Sequence, residues 1–240
     1  MAKYELLSFA SPDELARAAA AAWLDVIEAA HRAGQTHCVA LSGGRIAQTL
    51  FSHTVTQARA RKISFEGVHF FWADERCVPP TDPESNFKIA DELLLRPLQI
   101  DTASIHRLRG EAAPEEAAKI ASAELLAVAE KKQNQQPALD LIFLGMGEDG
   151  HVASLFPNAS ANIMDICVPF LTVKNSPKPP PTRISLSYQA IFAAQNIWIL
   201  ISGRGKAEAL HKSLAAKGET PLAKVLAAHP AKIFCDINEF

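Results

Sequence analysis

Short apolar runs alternate with amphipathic stretches along the whole chain, and this alternation limits the fold more than any other feature. Thr36–Leu41, Val68–Ala73, Leu141–Leu144 and Ile197–Ile201 have the composition of buried strands. The stretch after Ser11 has the opposite pattern. Leu15, Ala19, Ala22, Trp23, Val26, Ile27 and Ala30 recur at three-four spacing and make one apolar helix face. Ser11 is an N-cap, Pro12 takes the first helical position, Glu14 completes a capping box, and Gly34 is a terminator. Strand and helix in turn argue for a single α/β domain over residues 1–240, with a mainly parallel sheet between helical layers.

The remaining elements follow in order. Strands are expected at Tyr4–Phe9, Ile105–Arg107, Cys167–Val173 and Lys232–Ile237, with an alternating stretch at Thr182–Ser187. Helices are expected at Ile46–Arg59, Asn86–Leu95, Pro114–Lys132, near Gly205 to Leu214, and at Pro221–Ala228. A polar connection spans Gln133–Gln136, and Ala153–Phe156 is read as about one helical turn.

Length and charge bound the function classes. The chain has 240 residues and a net charge of −2, so nothing points to nucleic acid or an anionic membrane surface. No apolar segment approaches the roughly 18 residues of a membrane span, and the N-terminus lacks a signal-peptide core. Cys38, Cys77, Cys167 and Cys235 are far apart, with no zinc spacing, and read as reduced, mostly buried thiols. A soluble cytoplasmic protein is expected, and any anion site must come from local placement of Arg and Lys.

The densest chemistry lies in Leu139–Pro157, LDLIFLGMGEDGHVASLFP. An apolar strand ends at Gly145, two more glycines enclose Glu148 and Asp149, and His151 follows. Gly145-x-Gly147-x-x-Gly150 matches the spacing of a dinucleotide fingerprint, and Asp165 stands about 20 residues on. The context argues against it. Pro157 interrupts any helix after Gly150, two carboxylates inside the turn would repel a diphosphate, and Asp165 precedes an apolar run instead of ending one.

Three other strand ends carry polar groups. Ser42-Gly43-Gly44-Arg45 links a strand to a helix; it is either a plain connector or an anion cradle, and the donors of Ser42 and Arg45 favour the cradle. Asp74-Glu75-Arg76 sits where open α/β sheets bind ligands, with a solvated loop as the bland alternative. Ser176-Pro177-Lys178-Pro179-Pro180-Pro181 is a rigid extended segment that holds Lys178 just before Arg183.

Taken together, Leu41-Ser42-Gly43-Gly44, Trp72–Arg76 with Ser85-Asn86, Gly145–Pro157, Ser176–Ile184 and Gly203-x-x-Lys206-Ala207 resemble the 6-phosphogluconolactonase family. That family lies in a superfamily with glucosamine-6-phosphate deaminase. The G-M-G-x-D-G-H-x-A-S-L-F-P block is the specific part of the likeness. The resemblance implies a modified Rossmann-like sheet flanked by helices, and a small phosphosugar lactone as the partner. It implies hydrolysis of 6-phospho-D-glucono-1,5-lactone to 6-phosphogluconate in the oxidative pentose phosphate pathway, with no cofactor and no metal. By that resemblance His151 is the general base and Asp149 its companion, while Arg76, Lys178, Arg183 and Lys206 are basic site residues. Gly43, Gly44, Arg45 and Asp74 complete the expected substrate-binding set. One departure stands out: the family has S-G-G-S-T-P or S-G-G-R-T-P at the first glycine turn, where this chain reads Ser42-Gly43-Gly44-Arg45-Ile46-Ala47. The rival chemistries are a sugar-phosphate isomerase or deaminase using Asp74 as base, and a phosphosugar-binding regulator without turnover. Ala153–Pro157 matches the lactonase pattern and lacks the extra carboxylate of the deaminases.

Overall fold

The computed structural model describes residues 4–237, so the expected domain limits at 1 and 240 lie outside the described residues. The chain opens with β1 (Tyr4–Ser8), α1 (Pro12–Arg32), β2 (His37–Leu41), α2 (Arg45–Arg61), β3 (Val68–Trp72) and β4 (Asp74–Arg76). It continues through α3 (Asn86–Ala90), α4 (Pro114–Val128), β5 (Lys132–Gln133), β6 (Gln136–Pro137) and β7 (Leu141–Gly145). The last part is β8 (Phe170–Val173), β9 (Arg183–Leu186), α5 (Tyr188–Phe192), β10 (Ile197–Ile201), α6 (Ala207–Leu214), α7 (Pro221–Ala228) and β11 (Ala231–Cys235).

β2 and β10 are buried at every position, as strands covered on both faces must be. They lie inside a six-stranded sheet of order β1-β11-β10-β7-β2-β3, in which every pair is parallel. From β2 the chain moves outward to β3; from β7 it moves the other way, through β10 to β11. The direction reverses between β2 and β7, and a crevice opens at the carboxyl ends of strands at such a switch point. Helix α1 seals one part of the sheet with Trp23, whose ring meets Phe143 edge-on at 5.1 Å and Phe70 at 6.4 Å. Its indole N–H donates to buried His37 at 3.3 Å, so the polar tip is not orphaned.

Several local expectations are corrected. A second sheet, β4-β9-β8, is antiparallel, and it absorbs the Asp74–Arg76 segment as a strand and not a loop. The expected helix Pro114–Lys132 stops at Val128, because Lys132–Gln133 and Gln136–Pro137 pair as a hairpin. Asn134 and Gln135 both have positive φ, 50° and 63°, the conformation a two-residue hairpin turn demands. Ala153–Phe156 is not helical. Ala153 has φ 49°, Val152 bridges Leu155, and the Ser154 N–H donates to Ser185 across to β9. The strand expected from Cys167 begins only at Phe170, which leaves Cys167 exposed; Cys77 is half-buried, and Cys38 and Cys235 are buried. Ile105 makes a single parallel bridge to Phe70 instead of a strand.

Candidate active site

Four parallel strands end around one cavity of about 440 Å³. β2 contributes Ser42, Gly43 and Gly44; β7 contributes Gly145, Met146 and Gly147; β10 contributes Ser202 and Gly203. Beyond β3 the chain turns into β4, which adds Asp74 and Arg76, and β9 adds Arg183 opposite them. Ser42 Oγ donates to the Phe143 carbonyl at 2.8 Å and ties the two central strand ends together.

His151 lines this cavity from the turn after β7. Its Nδ1 lies 2.5 Å from Asp149 Oδ1, and Asp149 stands behind the ring, outside the cavity wall. The carboxylate therefore fixes the ring with Nδ1–H toward itself and Nε2 as the acceptor. Gly147 makes the pairing possible: a Cβ there would collide with the His151 ring and the Asp149 carboxylate. Burial pushes the imidazole below its ordinary value, opposed by Asp149 and assisted by the nearby positive charge of Lys178. Burial opposes ionisation of Asp149, yet its hydrogen bond to His151 and the charge there hold the carboxyl below the usual range. The result is a neutral imidazole at pH 7 backed by an ionised carboxylate. Phe156 braces both sides of the site, with its ring 4.7 Å from that of His151 and 5.8 Å from the Arg183 guanidinium.

The basic residues divide by what already engages them. Arg183 is 4% exposed. Its Nε donates to the Pro180 carbonyl, and its Nη2 donates to the carbonyls of Lys178 and Pro179. Only Nη1 remains, 3.9 Å from Asp74 Oδ2. Arg183 thus holds the proline-rich loop and presents one nitrogen inward. Arg76 lines the cavity with Nη1 on the Glu84 carbonyl at 2.6 Å, and its buried Nε has no hydrogen-bond partner among the described residues. Lys206 lines the wall beside Arg45; burial lowers its pKa, the charge of Arg45 adds to the effect, and Glu148 opposes it. Arg45 opens α2, whose N-cap is Gly44; no side chain caps this end and no acid occupies its first turn. The uncapped N-terminal turn of α2, Arg45 and Lys206 meet in the same part of the cavity wall, an arrangement of the kind that suits an anion. Lys178 is exposed on the loop and outside the cavity wall, although its charge bears on His151, Asp149 and Lys206.

Asp74 is 6% exposed and fully engaged. Ser154 Oγ donates to its Oδ2 at 2.6 Å, and Asn86 Nδ2 to its Oδ1 at 3.3 Å. Glu75 serves structure: its carboxylate accepts from the N–H groups of Arg76, Asn86 and Phe87 and from Ser85 Oγ, capping the start of α3. Asn86, in the cavity wall, and Ser154, fully buried against Asp74, are residues for which residue type alone gave no role. Both lie within the quoted motifs, and only the second sheet reveals that they meet at Asp74.

These features define an α/β protein whose small, cation-lined cavity carries an imidazole paired with a carboxylate. The chain belongs to the family described as glucosamine-6-phosphate isomerases/6-phosphogluconolactonase, whose model matches residues 10–234. A 6-phosphogluconolactonase of Treponema pallidum (strain Nichols) is 37% identical over 82% of this chain and 80% of its own length. The solved 6-phosphogluconolactonase from Trypanosoma brucei superposes with a TM-score of 0.85 at 25% identity, covering 98% of this chain and 97% of that one. A monomeric glucosamine-6-phosphate deaminase also superposes, with a TM-score of 0.81 at 18% identity over 97% of each chain, a likeness of fold alone. The fold therefore hosts both chemistries, and the site has to separate them.

Proposed function

We infer that the chain is a 6-phosphogluconolactonase, which hydrolyses 6-phospho-D-glucono-1,5-lactone to 6-phosphogluconate in the pentose phosphate pathway. The observation that carries the mechanism is the His151–Asp149 pair at 2.5 Å, with the ring in the cavity wall. His151 Nε2 takes a proton from water as its oxygen attacks the lactone carbonyl carbon. The negative oxygen that develops is met by Arg76 and by Arg183 Nη1. When the tetrahedral intermediate collapses, the bond from carbonyl carbon to ring oxygen breaks. The imidazolium returns its proton to that oxygen, which leaves as the C5 hydroxyl, and the new carboxylic acid ionises. The remote phosphate is bound by Lys206, Arg45 and the N–H groups of Gly43 and Gly44, so its binding energy positions the reacting carbon. Lys178 supplies positive potential at the rim, and Asp74 orients Arg183. The whole chain, 1–240, works as one domain in the cytoplasm, without a nucleic-acid partner.

The deaminase alternative requires a carboxylate free to take a proton from C2. Asp74 does not suit it, because Ser154 and Asn86 occupy its two oxygens. The test is a lactonase assay on freshly generated lactone, corrected for spontaneous hydrolysis. Wild-type turnover well above His151→Ala is expected; equal rates would remove His151 as the base. Release of ammonia from glucosamine 6-phosphate would favour the alternative.

A further inference from the structure

Asp236 is not part of the cavity wall, yet it bonds the strand end from which the turn to Lys206 departs. Asp236 follows β11, and its backbone N–H donates to the Ile201 carbonyl at 3.3 Å, one step beyond the β10–β11 ladder. Its carboxylate is divided between two donors on the neighbouring strand end. Ser202 Oγ donates to Oδ2 at 2.6 Å, and the Gly203 N–H donates to Oδ1 at 3.0 Å. Gly203 has φ 101°, a backbone state that side chains disfavour, and its carbonyl accepts from the Lys206 N–H at 3.1 Å. That bond closes the short turn Arg204–Lys206 from which the Lys206 side chain reaches the cavity wall. Among the described residues no side chain caps this turn, and the carboxylate of Asp236 anchors its entry through Ser202 and Gly203.

We propose that Asp236 is the positioning residue for Lys206: by gripping Ser202 and Gly203 it sets where the lysine meets the substrate's phosphate. The proposal rests on the assignment of Lys206 to the phosphate. It separates two properties that a merely structural role would change together. The reacting end of the substrate, at His151, is served by a different turn and feels no effect. The phosphate end does.

The experiment compares Asp236→Ala, Asp236→Asn and Ser202→Ala with the unaltered protein. Each is assayed on 6-phospho-D-glucono-1,5-lactone and on unphosphorylated glucono-1,5-lactone, and each is titrated with 6-phosphogluconate by calorimetry. Losing two hydrogen bonds to a charged acceptor should raise KM for the phosphorylated substrate about tenfold, with kcat within about twofold. The Kd for 6-phosphogluconate should rise in parallel, while kcat/KM on the unphosphorylated lactone stays unchanged. Asparagine keeps an oxygen for the Gly203 N–H and can donate to Ser202 Oγ, so Asp236→Asn should recover most of the affinity. Ser202→Ala, which removes one of the two bonds, should give a smaller KM increase of the same kind. Equal losses on both lactones, or unchanged product affinity in Asp236→Ala and Ser202→Ala, would overturn the proposal. So would an asparagine variant as weak as alanine, since that would make charge and not placement the cause. If Asp236→Ala does not fold, the other two variants decide. Product titration needs no turnover: an inactive wild type that binds 6-phosphogluconate would sink the lactonase assignment and leave this inference standing.

Discussion

As the proposed base, His151 would act only as a neutral imidazole, so on that proposal its protonation sets the acid limb of the pH profile. Burial places that limb below the ordinary value of 6.5, and the Asp149 charge limits how far it falls. Activity should therefore hold from neutrality downward past pH 6.5 and be lost as His151 takes up a proton, with log kcat/KM falling one unit per pH unit. A kcat/KM profile that breaks above that value would contradict the assignment. Asp149→Asn gives a sharper test because it removes the influence that raises the imidazole pKa. The acid limb should move to lower pH, and kcat should drop about 10²-fold or more as the ring loses its fixed tautomer. A shift toward higher pH would mean that Asp149 does not stabilise the imidazolium. His151→Ala removes the base altogether and should cost about 10²–10⁴-fold in kcat.

At the scale of elements, the decisive unit is the small sheet β4-β9-β8: the stretches Cys167–Val173 and Thr182–Ser187 were legible, but their antiparallel pairing with Asp74–Arg76 was not. Asp74–Arg76 is three charged residues long and carries no apolar alternation, whereas Arg183–Leu186 falls within the expected alternating stretch. Their register sets Arg76 directly opposite Arg183. Like charges in that relation destabilise a bare sheet, so the pairing makes sense where an anion visits. Arg183 also binds the segment before it, through the carbonyls of Lys178, Pro179 and Pro180. A lysine cannot reproduce that three-carbonyl fork. Arg183→Lys should therefore be nearly as impaired as Arg183→Ala, with KM raised about tenfold or more. Hydrogen exchange of Asn175, Ser176 and Lys178 should rise in both variants. Recovery by lysine would show that charge alone matters at this position. The long parallel strands were legible for the opposite reason. Residues 38–41 and Ile197–Ile201 are apolar throughout, and each is followed by a glycine turn that burial cannot hide.

For the molecule as a whole, the alternation of strand and helix specified the parallel sheet, yet it could not specify strand order. Neighbours such as β10 and β7, or β1 and β11, are set by how helices pack, and no local signal encodes them. The same limit concealed Asp236, which matters because β11 lies beside β10. The buried His37 and the half-buried His106 were equally unreadable, and they bear on how the assembled fold responds to acid. Burial brings His37 down to about 4, partly offset by the charge of Asp140, and burial with the adjacent His69 brings His106 to about 4 as well. In the unfolded chain both return to 6.5, so between pH 6.5 and 4 the unfolded state binds more protons than the folded one. Stability is unaffected above that window and falls as the pH descends through it. His37 sits among Trp23 and the core, and its share is on the order of 3 kcal/mol at the acid end. Urea denaturation at pH 7 and pH 4.5 should show this loss, and His37→Gln, which keeps an acceptor for the Trp23 indole, should flatten the slope between the two. Equal stability at both pH values would mean that the folded protein admits the proton at His37 without disturbing the contact between α1 and the sheet.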